Sequence, residues 1–240
     1  MENRFGFIDE NLKRITFNIN EAVAKYRTPD EKVSLMAVTK TVEPEYINYA
    51  VSKGVTLLGE NRVQEYQSKK DYYDKSAEVH FIGHLQTNKI KMVVPYTTLI
   101  HSIDSERLLV EVGEYARRNN YHPGVLLELH IAQEETKQGF SADEILDLLD
   151  RIASDGELRD KLSNISVKGL MAMASFVDDQ EQIRSEFSKL LELRDEIVRR
   201  NYPFLDSFTE LSFGMSGDYH IAASMGSTMV RIGTSIFGSR

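Results

Sequence analysis

The chain contains no cysteine. That excludes disulfide cross-links, thiolate nucleophiles and cysteine-ligated zinc. No apolar run approaches the roughly 20 residues a membrane-spanning helix needs. The first seven residues, Met1 to Phe7, lack the apolar stretch of a secretory signal, so a cytoplasmic protein is expected. Basic charge is in deficit, with Lys+Arg 29 against Asp+Glu 37 and a net charge of −8. Nucleic-acid binding needs basic side chains to neutralise phosphates, so that partner is disfavoured, as is a membrane. A local positive site for one small anion stays compatible with this balance. What remains is 240 residues, 41% hydrophobic and 28% charged, the composition of a soluble globular chain. This length suits one large α/β domain or two small ones.

Periodicity organises the chain. Ile8, Leu12, Ile15, Ile19, Ala22, Val23 and Tyr26 recur at helical spacing and predict a helix over 8–27. Strand-like and helical segments then alternate. Strands are predicted at 33–38, 55–58, 78–82, 99–103, 125–131, 167–171, 208–212 and 229–232. Helices are predicted between them at 44–53, 62–73, 88–93, 106–119, 141–153, 179–200 and 218–224, with a last turn at 234–237. Ser141 and Glu144 have the spacing of a capping box. Eight strand–helix units imply parallel strands with right-handed crossovers. Their number and total length predict a single (β/α)₈ barrel over 1–240, preceded by one extra helix. A doubly wound open sheet competes, but it usually carries a Gly-rich turn after its first strand. Here that turn reads Thr39-Lys40-Thr41-Val42-Glu43-Pro44. No linker, low-complexity stretch or repeat divides the chain.

Barrel enzymes place their chemistry at the C-terminal ends of the strands. Those ends supply Lys40, Asn61, His80, His84, His101, His130, Met171 to Met173, Ser212 to Ser216, and Arg231 to Thr234. Lys40 ends an apolar strand. Its plain reading is a surface charge, while partial burial at a barrel mouth would favour the nucleophilic amine. Gly214-Met215-Ser216 and Gly233-Thr234 follow the seventh and eighth strands, where barrels commonly bind phosphate. Backbone N–H groups and a helix N-terminus hold an anion without a basic protein, and the Ser216 and Thr234 hydroxyls add donors. An amine and a phosphate site at one mouth fit an aldehyde that carries a phosphate, of which pyridoxal 5'-phosphate is the foremost candidate.

Arg231 reads either as a wall residue in a salt bridge or as a neighbour of the ligand ring. Arginine can only donate, so opposite a pyridine nitrogen it would leave that nitrogen unprotonated and weaken the ring as an electron sink. His80 and His84 straddle a strand end and Gly83 rather than sharing a helix face, so no metal is expected. A hydrogen-bonded structural histidine is the reading for each. Lys137, in the loop after the fifth strand, reads as a solvated charge, with a second-lysine role as its alternative.

The segments Ala37–Thr41, Gly59–Glu65, His80–Lys89, Gly169–Met173, Leu211–Ser216 and Gly226–Gly238 together resemble the YggS/PROSC family, the pyridoxal 5'-phosphate homeostasis proteins. The resemblance covers nearly the whole chain. It implies a barrel like the N-terminal domain of alanine racemases. It implies an imine (Schiff base) at Lys40, phosphate contacts from Ser216, Gly233 and Thr234, and Arg231 near the pyridine nitrogen. Asn61 and Met215 would lie beside the ring. The implied role is to hold the vitamin B6 cofactor as a monomer and deliver it transiently to apo-enzymes, with no robust catalysis and no established catalytic residue. Val79 and Phe213 depart mildly from the family pattern. The alternatives are an amino-acid racemase and a lysine-dependent barrel aldolase. Two-base racemisation needs a second base on the opposite face of the cofactor. In alanine racemases that base is a tyrosine from an additional domain, which is not expected here.

Overall fold

The computed structural model describes residues 4–28, 30–132, 138–205 and 207–238. Eight parallel strands close into one barrel in sequence order, each hydrogen-bonded to the next and β8 to β1. The strands are β1 (Ser34–Val38), β2 (Leu57–Glu60), β3 (Glu78–Phe81), β4 (Leu99–Ile103), β5 (Gly124–Leu129), β6 (Ser166–Ala172), β7 (Glu210–Ser212) and β8 (Met229–Ile232). The helices are α1 (Gly6–Tyr26), α2 (Pro44–Ser52), α3 (Val63–Lys69), α4 (Ile90–Val93), α5 (Glu106–Asn119), α6 (Ala142–Ser154), α7 (Gly156–Lys161), α8 (Gln180–Arg200), α9 (Tyr219–Met225) and α10 (Thr234–Phe237). Among the described residues, no helix is long and apolar enough to cross a membrane.

The core follows from strand alternation. Side chains two apart share a face, so Met36, Leu99, Leu126, Met171 and Met229 form an apolar cluster inside the barrel. Their neighbours Ala37, Ile100, Val125, Leu127, Leu170 and Val230 point outward into a larger cluster beneath the helices. Every residue of β4 and β5 is buried, as expected of strands covered on both faces. The extra helix α1 adds Ile8, Leu12, Ile15, Ile19 and Val23 to the outer cluster. Burying each stabilises by about 1.5–3 kcal/mol. Asn11 donates to the Ile236 carbonyl at 3.0 Å and Asn18 to the Tyr219 hydroxyl at 2.8 Å, fixing α1 on α9 and α10.

The capping box at Ser141 is present, with both reciprocal bonds made. Four expectations shift. β2 starts at Leu57, because Gly54 (φ 96°) turns the chain and Val55 packs outward before pairing begins. The segment 62–73 is split into α3 and a 3₁₀ turn at Lys70–Tyr72. β5 stops at Leu129, and His130 instead donates its N–H to the Phe140 carbonyl. The short helix α7 was not foreseen. Its cap, Asp155, accepts from the Glu157 and Leu158 N–H groups, a role hidden in a stretch that reads as a turn.

Candidate functional site

The predicted residues gather on one arc of the rim, at the C-terminal ends of the adjacent strands β7, β8, β1 and β2. Lys40 lies two residues beyond β1 and is exposed. Of the two readings, the exposure matches the surface charge: the residue sits past the strand's last buried residue, on the rim itself. Its backbone is tightly held. Thr39 donates its N–H to the Gly59 carbonyl at 3.1 Å and its hydroxyl to Glu60 at 2.5 Å. Thr41 takes a left-handed conformation, φ 60°, uncommon for a residue with a branched β-carbon. Its N–H is caught by Glu65, which also pairs with Lys69, and Lys69 donates to the Thr39 carbonyl at 3.2 Å. Burial raises the Glu65 carboxyl, but the bonds from Lys69 and Thr41 outweigh it and hold the group below its usual range. Glu60, Glu65 and Lys69 were not singled out from the sequence. Only the closed β1–β2 pairing shows that they anchor the lysine.

Asn61 leaves β2 level with this turn, since Val38 and Gly59 are in register. Gly83 packs against it so closely that a Cβ there would stand 1.9 Å from the Asn61 carbonyl oxygen. Gly233 approaches the other flank of β1, where its Cβ would meet Val38 at 3.3 Å. The Gly233 and Ser235 N–H groups converge on Ser216 Oγ at 3.3 and 3.5 Å. The Thr234 N–H has no partner among the described residues. The Met215 turn is fixed by Asp218, which accepts the Met215 N–H at 2.5 Å. Ser216, Gly233, Thr234 and Ser235 therefore meet at one turn, on the β8 flank of β1.

Arg231 projects inward from β8, two residues after Met229. It is 4% exposed. Its Nη1 donates to the Ser212 carbonyl and hydroxyl, both at 2.6 Å, and its Nη2 to the Ala172 carbonyl at 2.9 Å. No side-chain ion pair holds it among the described residues, so the salt-bridge reading does not apply. Burial pushes its guanidinium down to about 10, opposed by Asp218 and Glu128, so it stays a cation at neutral pH. Three of its five N–H groups are committed, which leaves donors for a ring nitrogen.

Two buried acids near Arg231 escaped the sequence reading. Asp218 is raised by burial, and the Met215 N–H opposes that shift. Glu128, inward-facing on β5 and 2% exposed, is pushed up to about 7 by burial and then by Asp104, against Arg231 and a bond from Gln138. Its Oε2 has no partner among the described residues. An inward acid on a strand looks like any polar surface position until the barrel closes.

Two of the candidate histidines lie away from the mouth. His80 and His101 lie inside the barrel, bonded to each other at 2.9 Å, and burial lowers both. His84 is exposed and 3.2 Å from Asp104. These two histidines of the H-x-x-x-H segment therefore point apart, and among the described residues no group of three acids or histidines is placed to hold a metal. Lys137 lies outside the described residues.

A lysine, a donor turn and a buried arginine on one barrel rim have clear relatives. Residues 11–240 match the family described as alanine racemase, N-terminal domain. The pyridoxal phosphate homeostasis protein of Aquifex aeolicus is 38% identical over 232 residues, covering 96% of this chain and 97% of the relative. This chain belongs to that family. The homeostasis protein of Escherichia coli K12 is 32% identical, with 97% of each chain covered. Among solved structures, PipY of Synechococcus elongatus with PLP bound superposes with a TM-score of 0.74 at 28% identity, covering 92% of this chain and 100% of PipY. Alanine racemase of Corynebacterium glutamicum reaches a TM-score of 0.71 at 13% identity, covering 98% of this chain and 62% of the racemase. That likeness shows the fold alone: the homeostasis family shares the alanine-racemase barrel.

Proposed function

We propose that this protein binds pyridoxal 5'-phosphate, linked reversibly to Lys40, and serves the intracellular homeostasis and delivery of that cofactor. The reading rests on family membership. The observation that supports it is the arrangement of Lys40, Ser216, Gly233, Thr234 and Arg231 on three adjacent strands, β7, β8 and β1. The Lys40 amine would hold the aldehyde group, the link forming with loss of water. The Ser216 hydroxyl and the Gly233 and Thr234 N–H groups would hold the phosphate. Asn61 and Met215 would contact the ring. Arg231 donates to the pyridine nitrogen and cannot accept from it. The bound cofactor would supply an electron-withdrawing ring, and an unprotonated nitrogen keeps that pull weak. Such a site suits holding better than carbanion chemistry. We read the chain as one cytoplasmic, monomeric domain whose protein contacts are transient, with apo-enzymes that need the cofactor.

The test is the visible spectrum of the purified protein with pyridoxal phosphate, for native protein and Lys40→Ala, before and after borohydride. A band present only with Lys40, and fixed onto that residue by reduction, is expected. A Lys40→Ala protein with the same band and the same reduced adduct overturns the assignment.

A further inference from the structure

Beneath Arg231 an unbroken line of hydrogen bonds crosses the barrel. Ser212 Oγ lies 2.6 Å from Arg231 and 2.9 Å from His101 Nδ1. His101 Nε2 lies 2.9 Å from His80 Nδ1, and His80 Nε2 lies 3.2 Å from Glu78 Oε1. The five residues come from β8, β7, β4 and β3, so the line runs from one side of the barrel to the other. Its far end reaches solvent: Glu78 and His80 line a cavity of ≈ 790 Å³ at the N-terminal ends of the strands, opposite the mouth.

Donor and acceptor rules fix its direction from the Glu78 end, and the Arg231 end is compatible with it. Arginine only donates, so Ser212 Oγ accepts from Arg231, which leaves its own hydrogen free for His101 Nδ1. An ionised carboxylate only accepts, so Glu78 takes the hydrogen of His80 Nε2. Glu78 is ionised: the Thr98 hydroxyl at 2.7 Å is the first cause holding its carboxyl below the usual range. His80 Nδ1 must then accept from His101 Nε2–H. Each neutral ring carries its hydrogen on Nε2, and every contact is satisfied. The charged groups facing these rings are Glu78 and Glu210 at His80 and Arg231 at His101, and burial keeps both rings neutral. Protonating His80 would turn its Nδ1 into a donor and reverse the line as far as Ser212, whose hydroxyl would lose its acceptor.

We propose that His101 and Ser212 are positioning residues for Arg231: His101 takes the Ser212 hydrogen, which turns the Ser212 lone pair toward the guanidinium and fixes the free Arg231 donors against the ring-nitrogen position. This rests on the cofactor reading above. The ring would then be tuned from the barrel interior by residues that never touch it.

Two measurements test it. In cofactor-free protein, ¹⁵N-histidine NMR should show His80 and His101 neutral with hydrogen on Nε2 at about pH 7. Hydrogen on Nδ1 of either ring, or a cationic ring, overturns the line. With the cofactor ¹⁵N-labelled at its pyridine nitrogen, Ser212→Ala and His101→Leu should move that resonance downfield, toward unbonded pyridine. His101→Asn keeps an acceptor where Nδ1 stood and should restore the native position. An unmoved resonance in Ser212→Ala and His101→Leu proteins that still form the Lys40 link defeats this inference alone. A failure of His101→Asn to rescue does the same. Absence of any Lys40-dependent band in the native protein defeats the cofactor reading instead. Ser212→Ala removes one oxygen from the interior, so the test survives if the leucine variant fails to fold.

Discussion

Replacing Glu128 by glutamine separates two electrostatic accounts of the barrel interior. In one, Glu128 is the ionised counterion of the buried Arg231. Removing its charge would then strand a buried cation and destabilise the protein by about 3–5 kcal/mol. The structure supports the other account. Burial and Asp104 push the carboxyl up to about 7, and Arg231 offsets only part of that. A carboxyl raised in the folded state contributes stability that is complete below its unfolded value, here 4.5, and is lost as pH climbs to about 7. At about 1.36 kcal/mol per pH unit, the gap amounts to roughly 3 kcal/mol. Glutamine has the shape of the protonated acid and does not titrate. Glu128→Gln should therefore match the native protein near about pH 4.5 and exceed its stability by up to roughly 3 kcal/mol near about pH 8. Urea unfolding of both proteins at a series of pH values measures the difference, in which titrating groups remote from Glu128 cancel. A Glu128→Gln protein less stable than native at the alkaline end would refute the argument and establish the Glu128–Arg231 ion pair.

Two further outcomes follow from contacts at the rim. Gly83→Ala places a Cβ 1.9 Å from a backbone oxygen of Asn61 and disturbs the carbonyl that Ser102 bonds at 2.5 Å. The urea midpoint should fall by the equivalent of about 1–3 kcal/mol, and an unchanged midpoint would show that the Asn61 turn yields freely. Ser216→Ala removes the hydroxyl on which the Gly233 and Ser235 N–H groups converge. A hydrogen bond to a charged group contributes about 1.5–3 kcal/mol, so pyridoxal phosphate should bind roughly 10- to 100-fold more weakly by titration, with the Lys40-dependent band retained. Equal affinity would take Ser216 out of the phosphate cradle.

Local signals made most of the fold legible. Ile8, Leu12, Ile15, Ile19 and Val23 mark α1 because one helix face is buried, and that periodicity survives in the sequence. The Ser141–Glu144 box is legible because its partners are three residues apart. The rim positions of Lys40, Asn61, Ser216 and Gly233 follow from strand order, since each lies within four residues of the end of a strand. Errors fell where local pattern and pairing disagree. Val55 is apolar and buried, yet it packs outward after the Gly54 turn and β2 begins two residues later. The sequence left Lys40 open between a surface charge and a partly buried amine, and its exposed place past the strand's last buried residue could be read only from the structure.

What no local signal carries is the identity of long-range partners. Arg231 bonds Ala172, 59 residues away, and His101 bonds Ser212, 111 residues away. Nothing near either histidine distinguishes a core link from a mouth residue, and strand position alone placed both with the mouth. Barrel closure changes the problem, because it brings a group that can only donate to one end of the line and a group that can only accept to the other. Between such ends, neutral imidazoles have one self-consistent arrangement of hydrogens. The direction of the line therefore follows from residue chemistry once the contacts are known, although no part of it could be read before them. The same closure raises the two acids near Arg231: Asp218 and Glu128 are buried beside its charge, which favours their ionisation while burial resists it.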